Sequence, residues 1–223
     1  MSGVGKTFWA TKLASIGFVC HHCDDILASR LQTEVSLPMT GLYDMGTWMG
    51  LPYDKGFAEK ERLLIKLENE ILLELAESVY NAPPDENIVI DTAGSAIYAD
   101  KQTLNKLKRS VLLIYLSITP EVQAQMLEDY ARRPTPLIWN GNFFKLPNET
   151  NETALKNSYP KLIAYREKLY EEIADLKIEY DIHRQSGLSV KDFVGLIKTP
   201  PNTALSGLPS RTPSIHQARR SPR

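Results

Sequence analysis

The sequence predicts a three-layer α/β fold, a parallel sheet with helices on both faces and a lid segment. Three observations predict it. Residues 1–7, Met-Ser-Gly-Val-Gly-Lys-Thr, carry the second half of the phosphate-loop pattern G-x-x-x-x-G-K-[ST]. Short apolar runs alternate with amphipathic helices along the chain, which is the order that builds a parallel sheet. One of those runs, Ile88-Val89-Ile90, ends in Asp91 and a small-residue turn, Thr92-Ala93-Gly94.

In chain order, the loop comes first. Its glycines turn the backbone so that successive N–H groups of Gly3, Val4, Gly5, Lys6 and Thr7 face an anion, and the following helix adds partial positive charge. Lys6 is expected to reach the β- and γ-phosphates, and the Thr7 hydroxyl to hold Mg²⁺. The first glycine of the full pattern would fall one residue before Met1, and the strand that feeds such a loop is not in the sequence. A misplaced start site is therefore expected, with upstream codons encoding a short apolar strand that ends in Gly. The segment KTFWATKLA reads as the first helix, with Phe8, Thr11 and Ala14 on its sheet-facing side.

An extended run at 16–20 and a helix at about 24–31 follow. Residues 37–55, rich in Gly, Pro, Tyr, Met and Trp, read as a connecting loop or short turns. Leu63, Leu67, Ile71, Leu75 and Val79 recur every four residues, with Leu64 and Leu72 broadening the stripe, so 57–80 is a long helix stopped by Pro83-Pro84. Asn87 to Asp91 is a strand of the kind buried on both faces. A helix at 99–108 leads to a strand at 111–116. Thr119-Pro120-Glu121 reads as N-cap and first turn of a helix to about 130. An irregular Pro-, Asn- and Gly-rich excursion covers 133–151. A helix at 155–175, a strand at 178–182 and a last helix capped by Ser189 complete the order.

Composition excludes several classes. Hydrophobic content of 43% with 24% charged residues is that of an ordinary globular protein. A net charge of −1 gives no bulk attraction to nucleic acid. No apolar run approaches the ~20 residues of a membrane span. Cys20-His21-His22-Cys23 has no second cluster to complete a zinc site, and two cysteines so close suggest no disulfide framework, so a packing role and a cytoplasmic address are expected. From Thr199 to Arg223 there are five prolines, four serines, four arginines and no acidic residue, which reads as a disordered basic tail. The domain is thus 1–198, and the tail 199–223.

Asp91 at a strand end can serve Mg²⁺, and the Gly94 backbone can approach a ligand. The guanine-reading pattern Asn-Lys-x-Asp of GTPases is not in the sequence. Taken together, these motifs resemble shikimate kinase and related P-loop small-molecule kinases over most of residues 1–198. The sharpest match is Arg166-Glu167-Lys168-Leu169-Tyr170-Glu171-Glu172-Ile173-Ala174-Asp175, which looks like the family's R-x-P-L-Y-x-E-x-A-D helix. The resemblance implies that Arg166 grips a substrate carboxylate. It places Asp24 at the family's hydroxyl-contacting aspartate, with His22 in place of the preceding aspartate and Asp25 as the neighbour one register away. It reads Arg132-Arg133-Pro134 as part of a lid at about 131–152, with Arg133 the catalytic arginine that closes on the phosphates.

Two departures concern the acceptor. The family's Phe-Arg pair becomes Phe57-Ala58, and its glycine triplet becomes Ala93-Gly94-Ser95. The resemblance implies an ATP- and Mg²⁺-dependent kinase acting on a hydroxyl of shikimate or a related small anionic or polyol metabolite, as a monomer without nucleic-acid or membrane partners. The alternative is a non-catalytic nucleotide-binding protein.

Overall fold

The structure, a computed structural model, describes residues 3–198. The basic tail read from the sequence lies outside the described residues. Four short strands and nine α-helices are formed among the described residues. The phosphate loop opens helix α1 (Lys6–Ala14), and strand β1 (Val19–His22) leads directly into α2 (Cys23–Val35). Helices α3 (Leu42–Met49) and α4 (Phe57–Asn81) come before β2 (Ile88–Asp91). A single 3-10 turn at Ala96–Tyr98 and α5 (Lys101–Ser110) lead to β3 (Ile114–Leu116). Then follow α6 (Pro120–Arg132), the irregular segment 133–150, α7 (Asn151–Ile173), β4 (Leu176–Ile178), α8 (Tyr180–His183) and α9 (Val190–Lys198).

All strand pairing is parallel. β1 lies beside β2 from Val19↔Ile88 to His22↔Asp91, and β3 beside β4 from Ile114↔Leu176 to Leu116↔Ile178. These are two separate pairs: β2 and β3 do not bond to each other. Side chains alternate across the strands as a pleat requires. Ile90 and Tyr115 pack into a large core with α2, α4, α5 and α7, while Val89 and Leu116 face a smaller one with α1 and α9. Helices therefore cover both faces.

Helix ends follow the expected chemistry. Thr119 caps α6 by accepting from the Val122 N–H, and Pro120 takes the first turn, where its missing N–H costs nothing. Asp100 accepts from Thr103 N at 2.7 Å, and Ser189 accepts from Asp192 N at 3.2 Å while donating to its carboxylate. Pro160 sits within α7.

Four local expectations are corrected. On α1 the buried face is Trp9, Ala10 and Leu13, while Phe8 is 49% exposed and Thr11 and Ala14 are exposed as well. Trp9 sets this phase: its ring stacks on Phe193 at 3.9 Å and its indole N–H donates to the His183 carbonyl. The connecting loop at 37–55 contains α3, whose Met45 and Met49 are fully buried. The first extended run begins at Val19, because Phe18 N still bonds back to Leu13 O in the helix-terminating turn. The last strand ends at Ile178, because the Ser117 hydroxyl accepts the Tyr180 N–H and diverts the backbone into α8.

Candidate active site

At Gly5 the backbone adopts φ +111°, a left-handed conformation that only glycine adopts without strain, and this opens α1 at its first residue. The Arg184 guanidinium lies against the same position, its central carbon 3.2 Å from where a Cβ on Gly5 would stand, and donates to the Gly3 carbonyl at 3.0 Å. Val4 is buried, Lys6 is half-buried and Thr7 is exposed.

A tight cavity of about 40 Å³ lies between this loop, the first turn of α2, the turn after β2, α7 and the segment 135–138. Lys6, Asp24, Gly94 and Arg166 all line it. Asp24 arrives there because α2 starts directly from the end of β1. Burial pushes its carboxyl pKa up, the charge of Lys6 opposes that shift, and the nearby Asp91 and Asp25 reinforce it. Asp91 ends the adjacent strand and is held by His22, with Nδ1 and Oδ2 3.2 Å apart. His22 also contacts Cys20 through Nε2 at 3.3 Å. Burial and the charge of Asp91 push the Cys20 thiol up, so it remains protonated at neutral pH. The same-face placement of Cys20 and His22 thus supports Asp91, and no metal-binding cluster of three or more ligating side chains exists among the described residues.

Arg166 is 2% exposed, with Nε donating to the Tyr98 hydroxyl at 3.3 Å. Tyr170, one turn later on α7, donates its hydroxyl to the Gly94 carbonyl at 2.5 Å. Burial raises the Tyr170 phenol to about 12, which keeps it a donor. The aromatic pair therefore fixes both the guanidinium and the turn after β2. Behind them lies Glu68 of α4, 3% exposed, with Oε1 lacking a hydrogen-bond partner among the described residues. Burial pushes its pKa up to about 7, and the charge of Asp24 adds to this. The Ser95 side chain, Arg166 and Lys6 act in the opposite direction.

The irregular segment after α6 is held at several points. Glu61 accepts the N–H groups of Trp139 and Asn140 at 2.5 and 2.9 Å, and Trp139 is buried with its indole N–H on the Tyr130 hydroxyl. At Gly46 a Cβ would fall 2.1 Å from the Pro134 carbonyl oxygen, so α3 and the lid touch through backbone. Thr135 to Ile138 reach the cavity, but Arg133 does not: it is exposed, with its guanidinium 3.3 Å from the centre of the Tyr43 ring. Lys60 donates to the Trp48 carbonyl and Arg62 pairs with Glu59 in solvent, so neither supplies the arginine missing at Ala58.

Three residues of the site were not read from the sequence. Glu68 had a signal, being a carboxylate on the buried stripe midway between Leu64 and Leu72. Glu61 and Arg184 had none, since the lid and the phosphate loop that they hold are distant in sequence.

A phosphate loop, a carboxylate at the end of the neighbouring parallel strand and an irregular segment over a small cavity that mixes apolar and charged side chains define a P-loop small-molecule kinase fold. The sequence profile of shikimate kinase matches residues 57–194, well over half of the chain, and the chain belongs to that family. Two solved structures share the fold. The chain is 21% identical to shikimate kinase from Acinetobacter baumannii in complex with shikimate, with a TM-score of 0.52 over 88% of this chain and 86% of that one. It is 20% identical to shikimate kinase from Aquifex aeolicus vf5, with a TM-score of 0.52 over 89% of this chain and 92% of that one. No curated protein sequence matches the chain significantly.

Proposed function

We propose that the chain transfers the γ-phosphoryl group of ATP to a hydroxyl of a small metabolite, shikimate or a related anionic or polyol acceptor. The observation that carries this reading is the convergence of Lys6, Asp24, Gly94 and Arg166 on one cavity. In it, the loop amides and Lys6 hold the phosphates, and the Arg184 guanidinium beside Gly3 adds positive charge. Asp24, its basicity raised by burial, orients the acceptor hydroxyl and takes its proton. Arg166, held by Tyr98, presents a planar fork to an acceptor carboxylate. Arg133 serves in this reading only after leaving Tyr43, so lid closure exchanges a ring contact for a phosphate contact.

Magnesium takes oxygen ligands and keeps several waters, so it needs few protein donors when phosphates supply the rest. The Thr7 hydroxyl and the Asp91 carboxylate would be its protein donors, and the described residues hold no cluster of three or more His, Cys, Asp or Glu side chains that would form an all-protein cage. When bound, the ion neutralises phosphate charge. The reading extends to a cytoplasmic monomer; among the described residues no helix is long and apolar enough to cross a membrane.

The test is ADP release from Mg-ATP across a panel of hydroxy acids and polyols. It is run on the chain itself and on a version with a short apolar extension ahead of Met1. Acceptor-dependent turnover that disappears in Lys6→Ala supports the reading. Nucleotide binding without transfer in either version would move the chain to the non-catalytic class.

A further inference from the structure

The cavity that Lys6, Asp24 and Arg166 share is small, about 40 Å³. At ~10–15 Å³ per water it has room for about three waters, while an apolar cavity that takes a benzene ring measures ~150 Å³. Aliphatic side chains line it, among them Leu27, Leu64, Leu137 and Ile138. Among the described residues, Arg166 is the single guanidinium on its lining and Asp24 the single carboxylate. The Ser95 side chain bonds to Glu68, and Lys6 belongs to the phosphates in the kinase reading. Asp24 and Thr135 are then the side chains left to meet an acceptor hydroxyl.

The walls are fixed by their surroundings. Leu27 and Leu64 belong to the large core, where close packing leaves little freedom to move aside. Ile138 is buried as well, and its segment is fastened on both sides. Glu61 accepts the Trp139 and Asn140 N–H groups after it, and before it the Pro134 carbonyl lies against Gly46. The turn after β2 is tied to α7 through the Tyr170 hydroxyl on the Gly94 carbonyl. Ala93 and Ser95 flank that glycine, and their side chains take space that a glycine triplet would leave open. A hydroxyl pressed against leucine and isoleucine here loses its water and gains no partner, which is costly. An aliphatic group in the same place gains from burial.

We propose that the acceptor is a short acyclic hydroxy acid with an aliphatic branch, and that Leu64 and Ile138 set this preference. Its carboxylate meets Arg166, its hydroxyl meets Asp24, and its branch packs against Leu27, Leu64 and Ile138. A six-membered ring bearing several hydroxyls, shikimate included, exceeds the space and sets hydroxyls against aliphatic walls. An apolar pocket discriminates against one added hydroxyl by about a hundredfold at most. The occupant's role as acceptor rests on the kinase reading; the preference for size and polarity rests on the cavity itself.

The test titrates the full chain, without nucleotide, with hydroxyisovalerate, lactate, glycerate and shikimate by calorimetry. ADP release from Mg-ATP is then measured with the same four acids. Hydroxyisovalerate is expected to bind tightest. Glycerate, which is lactate with one more hydroxyl, should bind about tenfold to a hundredfold more weakly than lactate, and shikimate about tenfold or more weakly than hydroxyisovalerate. Leu64→Ala and Ile138→Ala, on different elements, should each narrow the gap between shikimate and hydroxyisovalerate by about tenfold. Where a variant does not fold, the order measured on the unaltered chain decides. Shikimate or glycerate bound as tightly as hydroxyisovalerate, or no acid bound at all, would overturn the proposal. Fastest turnover with shikimate would overturn it too and leave the kinase reading standing. The expected binding order with no ADP release from any acid would support the cavity's preference and end the kinase reading.

Discussion

Glu68→Gln is expected to change how stability depends on pH. The ordinary glutamate pKa of 4.5 is raised to about 7 at this position, chiefly by burial, and the side chain is only 3% exposed. At ~1.4 kcal/mol per pH unit, that difference amounts to about 3 kcal/mol. The sign follows from proton counting. Between pH 4.5 and 7 the folded chain holds a proton at Glu68 that the unfolded chain has released, so stability falls as pH rises through this window. Below 4.5 both states are protonated and the term is fully present; above 7 it is lost. Glutamine has the same shape and does not ionise. Urea melts at intervals from pH 4 to 8.5 should therefore show the two proteins near parity at the acid end. The variant should become more stable by about 3 kcal/mol at the alkaline end. Parallel stability curves, or a variant that is weaker at pH 8, would refute the assignment of a costly buried carboxyl behind the cavity.

Arg166→Lys should raise KM for a carboxylate acceptor about tenfold while changing little for an uncharged polyol, because an ammonium cannot reproduce two parallel N–H donors; steady-state kinetics with both acceptor types checks this. Trp139→Ala removes a fully buried anchor of the lid and should cost about 3–5 kcal/mol in a denaturant melt. If its loss is instead near zero, the lid is not packed through that ring.

Much of the architecture was legible without coordinates. The four-residue recurrence from Leu63 to Val79 could only be a helix with a buried stripe, and Ile88-Val89-Ile90 flanked by turn residues could only be a short covered strand. Asp91 was placed at a strand end for the same reason, because a carboxylate that closes an apolar run is placed by the run itself, whereas Asp24 was read only from the family resemblance. The phosphate loop was legible because its glycine and lysine spacing is local. The phase of α1 was not, since nine residues containing Phe8, Trp9 and Leu13 offer two apolar faces, and the partner Phe193 that chooses between them is far away in sequence.

What the sequence determined by itself is the order of elements and the identity of the polar groups at strand ends, because both depend on neighbours within a few residues. What the tertiary structure alone decided is long-range. Glu61 holds the backbone at Trp139 and Asn140, Glu68 sits buried near Arg166 with one carboxylate oxygen lacking a hydrogen-bond partner among the described residues, and Arg133 rests on Tyr43 outside the cavity. The separation of the two parallel strand pairs is of the same kind, because the pairing of one strand edge with another is fixed only when all layers close around it.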